Sequence, residues 1–155
     1  MSQTGAGKPP VTLLGFDFGS KRIGVATGQT ITGSVSALTT LNSVNGQPDW
    51  QTIGKLITEW QPDLLIVGLP LNMDGTDTRI TPTVRRFGNQ LKGRYNLPVE
   101  MVDERLTSVE ARSRLHADTS LRHKRFDREQ VDQIAAQVIV QSWLTQLQQD
   151  RGEPE

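Results

Sequence analysis

The chain reads as an α/β protein, a mixed sheet with helices on both faces. Three observations predict this. Residues 11–41 hold three β-like runs broken only by short turns. From residue 48 onward, apolar strand-like runs alternate with stretches of helical period. A long amphipathic stretch follows Asp127. The predicted order is βββ-α-β-α-β-α-α.

Residues 11–18, 22–27 and 34–41 are separated by Gly19-Ser20 and by the turn-rich segment 28–33, so they form consecutive hairpins, an antiparallel meander. Trp50, Ile53, Leu56, Ile57 and Trp60 then recur at helical spacing, and Pro62 closes that helix. Residues 64–67 are uninterruptedly apolar and lead into Gly68-Leu69-Pro70, a strand followed by a polar loop. Thr81 as N-cap and Pro82 as first helical residue open a second helix carrying Val84, Phe87 and Leu91. Residues 99–102 form another short strand. Thr107 and Glu110 have capping-box spacing and open a third helix, and Asp127 and Gln130 repeat the box before a last helix ending at about residue 147. Residues 1–10 and 149–155 lack apolar period and are expected to be mobile tails around a single domain, residues 11–148.

At 155 residues the chain is long enough for one hydrophobic core, and no apolar run approaches the roughly 20 residues that span a bilayer. Seventeen basic residues balance seventeen acidic ones, so net charge gives no argument for a nucleic-acid partner and the distribution of charge must decide. The absence of cysteine excludes a disulfide framework and a thiolate metal site, and no secretory leader is visible, which makes the cytoplasm the expected compartment. Gly-Ala-Gly-Lys at positions 5–8 is not a phosphate-binding P-loop, because Pro9 stands where the metal-ligating hydroxyl belongs and no strand precedes it.

Three acidic positions stand out. Asp17 ends an apolar run that lacks the polar alternation of an edge strand, so a simple turn role explains it poorly. Asp103 and Glu104 end another strand; neighbours in a strand face opposite ways, so one of the two shares a site with Asp17, and spacing alone does not choose. Asp132 lies on a helical stripe with Ala135, Ala136, Ile139 and Trp143, the face that packs on the sheet, and past the first turn where the helix dipole would favour an acid. Three converging carboxylates repel and raise one another's pKa unless a cation neutralises them. Hard oxygen ligands without His or Cys suit Mg²⁺ or Mn²⁺, and a pair of such ions about 3.5–4 Å apart is the chemistry of carboxylate-based phosphodiester hydrolysis.

The stretches GFDFGSKRIGVA, IVGLPLNMDGT, VDERLTS and VDQIAAQVIVQSWL, in that order over about residues 12 to 145, resemble the YqgF/RuvX family, whose members are described as Holliday-junction resolvases and as nucleases that finish maturation of pre-16S ribosomal RNA. The resemblance implies a ribonuclease H-like fold with a five-stranded mixed sheet flanked by helices. It implies Asp17, Glu104 and Asp132 as catalytic, metal-ligating residues, with Asp103 as the alternative to Glu104, and Mg²⁺ or Mn²⁺ as cofactor. The chain departs from the family in one place: its approach to the last acidic motif, RHKRFDREQ, is basic but has no glycine.

For the substrate, Lys21 and Arg22 follow the Asp17 turn and Arg105 adjoins Glu104, all close enough in sequence to meet a phosphate. Arg122, Lys124 and Arg125 crowd the segment before the last helix together with Arg112, Arg114 and Arg128, a local patch able to bind phosphates at zero net charge. Asn72 and Thr76, in the loop beyond Pro70, are expected as polar contacts. Trp50, Trp60, Phe87 and Trp143 fall on apolar helix faces and read as core rather than as base-stacking platforms. The expected function is a metal-dependent nuclease on structured nucleic acid that processes the 5′ end of pre-16S rRNA, with pre-ribosomal particles as partners and no membrane. Branched DNA is the second substrate reading, and a non-catalytic RNA-binding assembly or transcription factor the third. An actin-like ATPase is disfavoured because it needs two phosphate-binding lobes and this chain has one.

Overall fold

The computed structural model describes residues 10–44, 47–106 and 127–152. Strands β1 (Thr12–Phe18), β2 (Arg22–Gln29) and β3 (Val35–Asn42) form the expected meander. Helix α1 (Trp50–Trp60), β4 (Leu64–Leu69), α2 (Thr81–Tyr95) and β5 (Val99–Asp103) follow, then a 3-10 turn (Glu104–Leu106) and α3 (Arg128–Gly152). The sheet order is β3-β2-β1-β4-β5. β1 pairs antiparallel with β2 and parallel with β4, β4 pairs parallel with β5, and β2 pairs antiparallel with β3 across a register shift at Val25/Ala26.

β1 is therefore the centre of the sheet, and its strict alternation sends side chains into two cores. Leu14 and Phe16 join Ile23, Val25, Leu65 and Val67 beneath α1 and α2, where Ile53, Val84, Phe87 and Leu91 close the layer. Phe87 anchors this face against Phe16, Phe18 and Trp50 at ring separations of 5.7, 4.9 and 5.7 Å. Leu13 joins Ala26, Leu64 and Ile66 on the opposite face, against Ala136, Ile139, Val140 and Leu144 of α3. Asp17 has the parity of Leu13 and so lies on the α3 side.

The caps explain the helix limits. The Asp49 carboxylate accepts from the Thr52 backbone N–H at 3.1 Å and starts α1. The expected Asp127–Gln130 box is present: Gln130 N donates to Asp127 Oδ1 at 2.8 Å, and Asp127 N donates to Gln130 Oε1 at 3.0 Å. Thr81, expected as an N-cap, is instead the first residue of α2 after Ile80. Its buried hydroxyl donates to the Pro70 carbonyl at 2.5 Å and accepts from Thr78 N at 2.8 Å, tying the helix start to the loop after β4. α3 continues to Gly152, past the 149 boundary expected for a tail. The helix expected from Thr107 lies outside the described residues. Among the described residues, no helix is long and apolar enough to cross a membrane.

Candidate active site

Asp17 occupies the C-terminal end of the central strand, opposite Gly24 of β2. Burial pushes its carboxyl up to about 7 from an ordinary 3.8, and the nearby carboxylates of Glu104 and Asp132 push in the same direction. Three acids distant in sequence thus share one electrostatic environment at the junction of β1, β5 and α3.

Two glycines make room for them. A Cβ on Gly24 would collide with the backbone carbonyl of Asp132, so α3 lies directly on the β2 backbone there. A Cβ on Gly68 would stand 2.7 Å from Glu104 Oε2 and 2.5 Å from Ile139 Cδ1. Neither glycine was singled out from the sequence; the available signal was glycine inside an otherwise apolar strand, a mark of close approach. The first turns of α3 are pinned further by Thr40 of β3, whose hydroxyl donates to the Glu129 carbonyl at 2.6 Å and accepts from Gln133 Nε2 at 3.2 Å.

Of the adjacent pair Asp103 and Glu104, it is Glu104 that acts on Asp17 electrostatically. Met101 lies under α2, where its methyl fills the space beside Gly88, whereas Val102 packs with the α3 core. Asp103, the last residue of β5, has the parity of Met101, whereas Glu104 opens the 3-10 turn and its Oε2 lies over Gly68 beside Ile139 of α3. The Asp103 carboxylate instead takes the Arg105 guanidinium at 2.6 Å, which holds it below the usual carboxylate range.

Several residues expected to contact substrate have partners within the protein. Arg22 Nε donates to Asp132 Oδ2 at 2.6 Å. Arg105 straps β5 to the loop over residues 71–78, donating to Asp103 and, at 3.2 Å, to the Met73 carbonyl. Asn72 Nδ2 donates to Thr76 Oγ1 and to the Asp77 carbonyl, both at 3.0 Å, and the Thr76 hydroxyl donates to Asp74 at 2.6 Å. Short polar side chains in a tight loop bond locally, so Asn72 and Thr76 shape the loop rather than reaching out of it. Gly75, at φ +91°, supplies the left-handed residue this turn requires. Lys21 is exposed beside the site, and Arg128 is exposed at the start of α3. Arg112, Arg114, Arg122, Lys124 and Arg125 lie outside the described residues.

The donor set fits a hard divalent cation: carboxylate oxygens only, one of them desolvated and raised by its neighbours. The side chains are not gathered into a ready cage, and among the described residues no group of three acidic or imidazole ligands stands close enough to hold an ion as placed. Asp132 faces the Arg22 guanidinium.

A family model described as "RuvX: Holliday junction resolvase" matches residues 11–146. A protein of Nitrosococcus oceani named "Putative pre-16S rRNA nuclease" is 55% identical over 139 residues, 90% of each chain. One of the same name from Pectobacterium atrosepticum is 52% identical over 133 residues, 86% of this chain and 94% of that one. Among solved structures, Thermus thermophilus RuvC in complex with a Holliday junction substrate aligns over 90% of this chain and 96% of its own, with a TM-score of 0.59 at 9% identity. The fowlpox virus Holliday junction resolvase aligns over 88% and 99%, with a TM-score of 0.51 at 14% identity. These two likenesses show the ribonuclease H-like fold. With nearly the whole described domain matched and half its residues identical to those of such relatives, the chain belongs to the RuvX family.

Proposed function

We propose that the protein is a divalent-metal-dependent nuclease that hydrolyses phosphodiester bonds in structured RNA, with the 5′ end of pre-16S rRNA in pre-ribosomal particles as its substrate. The observation that carries this reading is the Asp17 carboxyl, held near 7 at the end of the central strand by burial, Glu104 and Asp132. Isolated acids in a core are costly, and a site that keeps three together is suited to neutralisation by a cation. The names of the relatives supply the substrate class.

Asp17, Glu104 and Asp132 would hold Mg²⁺ or Mn²⁺, which when bound supplies charge neutralisation at the scissile phosphate and an activated water. The remaining work falls to the protein. Asp17 must give up its proton before it can serve as a ligand. Gly24 and Gly68 fix where Asp132 and Glu104 stand. Lys21, with Arg122, Lys124 and Arg125, would neutralise flanking phosphates, while Asn72, Thr76 and Arg105 brace the loop 71–78. In the hydrolysis a water oxygen adds to phosphorus and gives up a proton to solvent, the bond to the leaving oxygen breaks, and that oxygen takes a proton from solvent.

The family model's description favours a four-way DNA junction as the second reading. The test offers purified protein a pre-16S rRNA fragment and a synthetic four-way junction, each with and without Mn²⁺. Metal-dependent cutting of the RNA, abolished by a folded Asp17→Asn variant, is the expected result. Cutting of the junction alone would move the assignment to DNA. RNA binding without cutting under any metal would overturn the nuclease reading in favour of an assembly factor.

A further inference from the structure

Arg22 is the cation this acidic cluster already contains. Its Nε sits 2.6 Å from Asp132 Oδ2, and the two side chains are only 27% and 21% exposed. Arg22 enters from the first residue of β2 and has the same strand parity as Gly24, the residue on which the Asp132 backbone rests. Asp132 is therefore held in place through its backbone, and Thr40 and Gln133 anchor the turns around it. The guanidinium is the opposite case, a flexible stem reaching in from a strand end. If the pair opens, Arg22 is the member that moves.

Resting on the reading that the three acids take a divalent ion, we infer that Arg22 is a positioning residue that competes with that ion for Asp132. In the metal-free protein it neutralises Asp132 and limits the repulsion among the three acids. On metal entry it releases the carboxylate and turns outward to solvent, from which a phosphate would arrive. Removing a positive charge at this distance strengthens cation binding, both by freeing the ligand and by ending like-charge repulsion.

The test is Mn²⁺ affinity, read as free Mn²⁺ by electron paramagnetic resonance, for the wild type, Arg22→Gln and Arg22→Met, with Asp132→Asn as control. The methionine variant keeps much of the aliphatic stem, so packing survives if the glutamine variant folds poorly. Loss of the arginine should tighten Mn²⁺ binding about tenfold while lowering the metal-free melting temperature, so that the two readouts move in opposite senses. Asp132→Asn should weaken binding. Unchanged or weaker Mn²⁺ binding in the Arg22 variants, with wild-type binding intact, overturns the role of Arg22 and leaves the nuclease reading standing. No Mn²⁺ binding by any of the four proteins overturns both.

Discussion

The Asp132 carbonyl rests directly against Gly24, leaving no room for a Cβ between α3 and β2. Gly24→Ala must therefore push a helix backbone away from a strand backbone, whereas at Gly68 the obstructing atoms are the tips of Glu104 and Ile139. Gly24→Ala should cost about 3 kcal/mol of stability, and Gly68→Ala about 1 kcal/mol, by the usual penalty of overpacking. Gly68→Ala should nonetheless lose cleavage, because Glu104 has to shift. Urea unfolding beside a cleavage assay checks both; equal stability losses would show that the two contacts are equally soft.

The raised Asp17 carboxyl makes stability fall with pH. Between about 4 and about 7 the folded chain holds a proton that the unfolded chain has lost, so the free energy of unfolding decreases as pH rises through that window and levels off above it. The slope of about 1.4 kcal/mol per pH unit bounds the loss near 4 kcal/mol. In chelator, Asp17→Asn should flatten this dependence and be more stable than wild type at pH 8 by about 2 kcal/mol. Parallel urea-denaturation curves for the two proteins at pH 5 and pH 8 would contradict this.

Metal binding should release that same proton. Mn²⁺ affinity is expected to climb about tenfold from pH 5 to pH 6 and about fivefold from pH 6 to pH 7, and to flatten above about pH 8. Calorimetry in two buffers of different ionisation enthalpy reads the proton directly, and an affinity independent of pH would show that Asp17 is not a ligand.

Asp103 and Glu104 are neighbours with opposite fates. Glu104→Gln should lower cleavage by at least about 100-fold, beyond what supporting residues around a metal usually cost. Asp103→Asn should leave the turnover rate within about tenfold and act through the loop, because Arg105 would lose its main partner and its hold on the Met73 carbonyl. Rates at saturating RNA separate the two; equal losses of turnover would place Asp103 in the reacting centre.

Most of the frame was legible in the chain. The meander, β4, β5 and the three described helices follow from apolar period and caps, and the Asp127–Gln130 box is present as its residues suggest. Thr81 departed because its hydroxyl donates to the Pro70 carbonyl and accepts from Thr78 N instead of accepting from the N–H groups of its own helix. The face of β5 was not readable, since Met101 and Val102 are both apolar and only the packed partners, Gly88 and the α3 core, tell them apart. The inward turn of Asn72 and Thr76 depends on competition between local bonds and a ligand. The Arg22–Asp132 pair spans 110 residues, beyond any spacing argument.

That span has a consequence for synthesis. β1 and β2 leave the ribosome long before α3 is made, yet Asp17 acquires one of its partners, and Asp132 its guanidinium, only when α3 docks on the sheet. A nascent chain that has all five strands of the sheet but not α3 has Asp17 and Glu104 without Asp132. If the three acids form the reacting centre as proposed, the topology acts as a timer, because that centre is complete only after the last helix has been made and has docked.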